Sequence, residues 1–206
     1  FAINITYIPD IIPPSITIIS PLNQTYSTSS IDFNLSLNEN VSSCLFSLDG
    51  TANVSMTINS SLTGASYLKT GLSTGSHSVI FYCNDTANNL NSSSVTFTVD
   101  NTPPLITINS PANTTYSTSS IFFDISLDET GDSCKLTLNN WLTNYTMNKN
   151  TNTNFNYTNN SIVDGSYTTK FSCNDSLNNV NNTLQLTFSI DTTPPLITVT
   201  SPENKN

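Results

Sequence analysis

The chain has 206 residues and a net charge of −9, with 9% charged residues, no arginine and only five scattered lysines, Lys69, Lys135, Lys149, Lys170 and Lys205. These cations form no stripe that could follow a phosphate backbone, so no nucleic acid is expected as a partner. No apolar run approaches the roughly 18 residues of a membrane helix, and no basic segment leads into an apolar stretch, so neither a membrane span nor a leader is expected in this window.

Residues 1–12 set Ile5, Tyr7 and Asp10 in the pattern of Val95, Phe97 and Asp100, and so read as the tail strand of a preceding repeat or as a strand donated to a neighbour. The repeat itself starts at Pro13. PPSITIISPLNQTYSTSSIDF, Pro13 to Phe33, returns as PPLITINSPANTTYSTSSIFF, Pro103 to Phe123, and begins a third time as PPLITVTSPENKN at Pro194. The spacing, 90 and then 91 residues, is that of a small domain able to bury a modest core. The expected boundaries are 13–102 and 103–193 for two domains, with 194–206 as the first strand of a following repeat or a donated strand.

Alternation with period two runs through the first domain. Ile16 to Ile19 open it; Ile31, Phe33, Leu35 and Leu37 share one face of the next strand; Cys44, Phe46 and Leu48 follow, then Val54, Met56 and Ile58. Tyr67 to Lys69 form a weaker strand. After the glycine-punctuated turn Gly71 to Ser76 come Val79, Phe81 and Cys83, then Val95, Phe97 and Val99. That makes about seven strands with no helical spacing, an all-β fold. The second domain repeats the pattern with Ile121, Phe123, Ile125 and Leu127, then Cys134, Leu136 and Leu138, then Phe171 and Cys173, then Leu184, Leu186, Phe188 and Ile190. It departs from the first between Asn139 and Asn160, an Asn-rich stretch that reads as a polar loop with an edge strand near Tyr145 to Met147.

Each domain holds two cysteines 39 residues apart, Cys44 with Cys83 and Cys134 with Cys173. A zinc site needs close ligand pairs and usually histidine, yet no two cysteines are adjacent and His77 is the only histidine. Disulfides within each domain are the expected reading, reduced buried thiols the alternative. A bridge closing a loop of this length stabilises a domain by about 4 kcal/mol and implies an oxidising, extracellular compartment.

The hinges VDNTPPLIT, Val99 to Thr107, and IDTTPPLIT, Ile190 to Thr198, carry paired prolines that hold the backbone extended, so stiff linkers are expected. Taken with I-T-x-x-S-P-x-N-x-T-Y, the paired cysteines and C-N-D after an aromatic strand, this pattern resembles the tandem immunoglobulin-like repeats of archaeal, and some bacterial, cell-surface proteins. The resemblance covers nearly the whole chain and implies two tandem immunoglobulin-like β-sandwiches. On an immunoglobulin-like course Cys44 opens the third strand and Cys83 closes the sixth, which are antiparallel neighbours, so the bridge is expected across one sheet rather than between sheets as in antibodies. Many such repeats carry Ala-Gly-Asn after C-N-D. Here Ala87-Asn88-Asn89 and Leu177-Asn178-Asn179 stand instead, leaving the turn type open.

Glycosylation sequons lie at Asn4, Asn23, Asn34, Asn40, Asn53, Asn59, Asn84, Asn91, Asn113, Asn144, Asn156, Asn159, Asn174 and Asn181. Their number exceeds chance only modestly. Agreement with the disulfides and the neutral polar surface makes N-linked glycans the expected decoration, against unmodified sequons. Asp85 and Asp175 after the second cysteines, and Asp10, Asp100 and Asp191 at the hinges, are weak Ca2+ candidates; capping of turns is the preferred reading and no cofactor is expected. His77 has no catalytic partner set and its counterpart is Tyr167, so a shared turn position explains both. Trp141, opposite Thr51 of the first domain, is with Tyr145 a candidate for binding: it stacks on a sugar or another subunit, or simply covers its own loop. No catalytic residue is assigned. The expectation is a non-enzymatic, glycosylated surface protein that builds a fibre, stalk or filament with copies of itself. The alternatives are an adhesin that binds through residues 139–160 and an accessory module of a secreted enzyme.

Overall fold

The structure, a computed structural model, describes residues 9–198. The chain divides into two compact units, Phe1–Thr102 and Pro103–Asn206. The expected terminal strands at 1–12 and 194–206 fall mostly outside the described residues, and the described parts, 9–12 and 194–198, belong to no strand.

The first unit is built from β1 (Ile16–Ser20), β2 (Thr25–Tyr26), β3 (Ile31–Leu37), β4 (Val41–Leu48), β5 (Val54–Ser55), β6 (Thr57–Ile58), β7 (Gly64–Lys69), β8 (Gly75–Asp85) and β9 (Leu90–Val99). One sheet has the order β1-β3-β7-β6 and the other β2-β9-β8-β4-β5, a sandwich of two layers. Among the described residues of this unit, every pairing is antiparallel except that of β2 with β9. The stretch around Met56, expected as one half-buried strand, instead changes sheets. β5 pairs with β4 and β6 with β7, while buried Met56 between them donates its N–H to the Cys44 carbonyl at 2.9 Å. Val54 is therefore at an exposed edge rather than in the core. Tyr67 to Lys69 likewise proves to be the end of a central strand, β7, bonded on both sides.

The period-two pattern of β3 sends Ile31, Phe33, Leu35 and Leu37 inward and Asp32 and Ser36 outward. Phe33 sits at the centre. It meets Phe46, Phe81 and Phe97 edge-on at ring distances of 5.1, 5.7 and 6.1 Å, the geometry the ring quadrupole favours.

The second unit repeats this plan with β10 (Ile106–Ser110), β11 (Thr115–Tyr116), β12 (Ile121–Leu127), β13 (Gly131–Thr137), β14 (Tyr145–Thr146), β15 (Asn148–Lys149), β16 (Asn154–Asn159), β17 (Gly165–Asp175), β18 (Val180–Asn181) and β19 (Gln185–Ile190). Its sheets run β10-β12-β16-β15 and β11-β19-β17-β13-β14, with β18 also on β17. The segment 139–160 is not one polar loop. Its second half is β16, paired along its length with β12, and Phe155 within it is buried in the core. Asparagines hid this strand because Asn154 and Asn156 take two outward positions that Ser or Thr usually fill.

Both cysteine pairs are bridged, and each joins register partners on neighbouring strands of one sheet, Cys44 with Cys83 across β4 and β8 and Cys134 with Cys173 across β13 and β17. The expected cross-strand placement is the observed one. The Cα atoms of the two pairs are 4.2 and 4.1 Å apart, and all four residues are buried.

The two cores fill similar space with different residues. Val41, Phe46 and Ala65 of the first unit correspond to Gly131, Leu136 and Phe155 of the second, all buried. Where Val41 supplies a side chain, Gly131 has none. A Cβ there would collide with the Leu127 side chain and approach the Phe155 ring to 2.9 Å. The phenyl ring has thus moved from β4 to β16, and a glycine has appeared against it, a volume-conserving exchange.

Gly131→Val is expected to destabilise the second unit by about 1–3 kcal/mol through overpacking, and F155A by about 3–5 kcal/mol through a cavity. The pair together should cost less than the sum in chemical denaturation, and strict additivity would disprove the exchange. C44A/C83A is expected to cost the first unit about 4 kcal/mol, lowering its calorimetric transition and leaving that of the second unit in place.

Candidate functional site

The five aspartates singled out by their position share one local geometry. Asp10, Asp85, Asp100, Asp175 and Asp191 each accept, through Oδ1, the backbone N–H two residues on, from Ile12, Ala87, Thr102, Leu177 and Thr193 at 2.8 to 3.3 Å. These are Asx turns, so capping is the role on view. Asp85 and Asp175 go further. Their Oδ1 atoms also accept the N–H of Asn89 and Asn179, and their Oδ2 atoms accept the side-chain amide of the same residues at 2.7 and 2.8 Å. Asn88 and Asn178, at φ of 67° and 62°, take the left-handed position that glycine fills in similar turns, which asparagine tolerates best among residues with a side chain. Burial works to raise the Asp85 pKa, but the Asn89 amide and the N–H groups of Asn89, Ala87 and Asn88 outweigh it and hold the carboxyl below its ordinary range.

Carboxylate oxygens of Asp10, Glu39 and Asp85 lie within 4.8 Å of one another. The same residue types recur ninety positions on in the sequence, at Asp100, Glu129 and Asp175. Three carboxylates are part of the oxygen set a calcium ion takes. The Asp85 carboxylate already answers three N–H groups of its own turn, which favours capping as its structural role.

His77, at the start of β8, is buried and stacks on Phe97 with ring centres 5.4 Å apart. Its Nδ1 faces Asp49 Oδ2 at 2.7 Å and its Nε2 faces the Ser73 carbonyl at 2.8 Å. Both partners accept, so both nitrogens donate only when the ring is the imidazolium. Burial, and more weakly Lys69, work to lower its pKa, but Asp49 and the Ser73 carbonyl outweigh them and the pKa is raised; Asp49 is correspondingly lowered. Tyr167 holds the equivalent place. It stacks on Phe188 at 5.6 Å and donates to the carbonyl four residues back, Val163, at 2.9 Å, as His77 does to Ser73. The shared turn position expected from the sequence is therefore a stacked ring bonded to its own loop, akin to the tyrosine corner.

The sequons fall into distinct settings. Asn4 is outside the described residues. Asn23, Asn40, Asn53, Asn59, Asn113 and Asn144 are exposed. Asn34, Asn84, Asn91, Asn156, Asn159, Asn174 and Asn181 are half-buried. The Nδ2 of Asn91 donates to the Pro14 carbonyl at 2.8 Å, that of Asn181 to Pro104 at 3.0 Å, and that of Asn174 to Asp175 at 2.9 Å. These three nitrogens are committed to the fold.

Trp141 and Tyr145 are not brought together as one binding surface. Tyr145 packs against the core and lies 5.2 Å from the Tyr157 ring. Trp141 sits in the turn after β13. In the first unit the turn Leu48-Asp49-Gly50-Thr51 is of type I′, with φ of 51° and 72° at its centre and the Thr51 N–H bonded to Leu48 at 2.9 Å. In the second, Asn140 and Trp141 take the positive φ values, 56° and 70°, one residue later. A bulky residue in that region stores about 1–3 kcal/mol, which the surroundings must hold. Fully buried Thr137 does so: its hydroxyl accepts the Trp141 N–H at 3.0 Å and donates to Thr143 at 2.8 Å, while Asn139 Oδ1 accepts the Thr143 N–H at 2.8 Å. Half-buried Trp141 walls an open depression of about 330 Å³ with Lys135, Asn144, Ser172 and Asn182. The sequence named Trp141 but gave no sign of its left-handed backbone.

A family model described as Bacterial Ig-like domain (group 3) matches residues 64–137 and 150–206. Its first match runs from β7 through β13, so the repeat it describes is out of phase with the compact units. Comparison with curated proteins returned no match. Among solved structures, the chain is similar to one from a 1.5-MDa bacterial ice-binding adhesin described for host cell surface retention, at 16% identity and a TM-score of 0.45 over 89% of this chain and 67% of that one. It is also similar to the D00-D0 domain of intimin, at 12% identity and 0.42 over 85% and 98%. Fibronectin(III)-like modules of CbhA from Clostridium thermocellum give 12% and 0.39 over 85% and 94%.

A histidine whose folded pKa is raised stabilises fully below its unfolded value, about 6.5, and loses that contribution as pH climbs through the folded value. The melting temperature of the first unit is therefore expected to fall as pH rises above about 6.5, and His77→Gln should flatten that slope. An unchanged slope in the variant would show that the imidazolium is not the source.

Proposed function

Because the chain belongs to the bacterial Ig-like domains of group 3, we propose that it is a structural section of an extracellular surface protein, a glycosylated run of sandwich modules that builds a fibre, stalk or filament and performs no catalysis. One observation carries this reading. The fold is constructed twice on the same plan, with a cross-strand disulfide, an aromatic core and a doubly capped turn at matching positions, and its titratable groups serve that construction. The lone histidine is replaced by a tyrosine in the second copy, where the ring does the same mechanical work. The bridges favour an oxidising compartment outside the cytoplasm. Binding through residues 139–160 has less support, since Tyr145 and Phe155 from that stretch pack in the core.

Neighbouring copies would join by exchanging edge strands, the main-chain bonds giving affinity. The exposed sequons Asn23, Asn40, Asn53, Asn59 and Asn113 would carry glycans without cost to the core, whereas the Nδ2 of Asn91, Asn174 or Asn181 already donates a hydrogen bond within the fold that a sugar on the same nitrogen would crowd.

Native material examined by negative-stain microscopy should show strings that lengthen with protein concentration, and glycopeptide mass spectrometry should find sugar on the exposed set and none on those three. Particles that stay single at every concentration would refute assembly. Equal occupancy of the two sets would refute the sorting by geometry.

A further inference from the structure

We propose that Asn144 carries an N-linked glycan whose first sugar ring lies on the indole face of Trp141, making the loop after β13 a built seat for a sugar. This rests on the glycoprotein reading above and goes beyond it by naming the residue and the contact that holds the glycan down. Asn144-Tyr145-Thr146 is an acceptor sequon, and Asn144 is exposed. Trp141 stands three residues earlier, and both line the same open depression. The C–H groups on one face of a pyranose are weakly positive and suit the negative face of an aromatic ring, for which indole offers the largest area. Around that face the depression supplies polar partners for sugar hydroxyls and an acetamide: the Lys135 ammonium, the Ser172 hydroxyl and the Asn182 amide.

The backbone supports the same conclusion independently. Trp141 is held at φ 70°, where a glycine would be unstrained, and buried Thr137 fixes it there. Strain maintained by its surroundings points to a use for the side chain so placed. The first unit provides an internal comparison. Its corresponding sequon, Asn53-Val54-Ser55, follows the type I′ turn with Gly50 three residues before, and so lacks the aromatic platform.

Attachment requires a sugar linked to a polyisoprenyl phosphate as donor and a transferase. Nδ2 of Asn144 bonds to the anomeric carbon, the bond from that carbon to the phosphate oxygen breaks, the electron pair leaves with the lipid phosphate, and the amide proton passes to a base of the transferase.

The test is a double-mutant cycle on the full chain made in a secretory host that attaches N-glycans: wild type, Thr146→Ala, Trp141→Gly and the double variant. Thr146→Ala removes the acceptor without touching Asn144, and Trp141→Gly suits the left-handed turn and so should fold. With Trp141 present, loss of the sequon should lower the melting temperature of the second unit by about 4 °C; without the indole, loss of the sequon should change nothing. The same four proteins from a host without N-glycosylation should show no coupling. Equal losses in both backgrounds, or a bare Asn144 beside occupied Asn23 or Asn53, overturn this inference and leave the glycoprotein reading standing. Sugar on no sequon at all overturns both.

Discussion

The rest of the structure depends on two facing sheets whose inner surfaces are filled by rings meeting edge-on. In the first unit Phe33 projects from the middle of β3 into contact with phenylalanines on β4, β8 and β9, which lie in the opposite sheet. A chain with so few charges draws little stability from ion pairs, so apolar burial and the cross-strand disulfide must offset the entropy of ordering some ninety residues. The second unit shows how strict the packing constraint is, and on what. Its ring count on β13 is lower, yet Phe155 enters from β16 and Gly131 opens space for it. Volume and shape are held while residue identity is not, as close packing requires.

With the core set in this way, the loops face a different problem. Strands must end within a residue or two, and the chain has only six glycines. Asparagine and aspartate take their place. Asparagine accepts the left-handed backbone at 88 and 178, and aspartate draws in the N–H groups that a tight turn leaves without partners. This accounts for the asparagines at these turns without appeal to any ligand. It also separates the asparagines that hold the fold from those free to be modified, a distinction that a sequon motif does not contain.

The strands built on regular alternation, β3, β4, β8 and β9 and their counterparts, were legible because the period of two exposes the inward face directly; the cysteine spacing pointed to pairing within a unit, and the strand course implied by the immunoglobulin-like resemblance placed the bridge between neighbouring strands. β16 was not legible. Two of its three outward positions, 154 and 156, are asparagines, and Phe155 and Tyr157 alone are too short a signal against a low-complexity background. The sheet change at Met56 was hidden for the opposite reason: Val54, Met56 and Ile58 imitate a single strand, and only the pairing of β5 with β4 and β6 with β7 separates them. The aspartates at 10, 85, 100, 175 and 191 were visible as a set, but the bonds that define their role reach across only two residues of backbone, which composition and spacing do not report. The acidic trio was legible only in part, since Glu39 comes from a different turn.

Two substitutions between the copies make sense only together. Asp49 becomes Asn139 and His77 becomes Tyr167. In the first unit the Asp49 carboxylate bonds the buried His77 ring and works to raise its pKa, and Asp49 also sits at the centre of the type I′ turn, so the turn and the ring are locked to each other. A tyrosine bonds its loop carbonyl with a neutral hydroxyl and needs no counter-charge. Once the ring at the start of β17 is neutral, the residue at 139 is free to lose its charge and to serve instead as the acceptor for the Thr143 N–H. The turn can then begin one residue later, which is the shift that lifts Trp141 into the left-handed position beside Asn144. The neutral ring at 167, the uncharged residue at 139 and the later turn thus form one linked set, which leaves the half-buried indole beside Asn144.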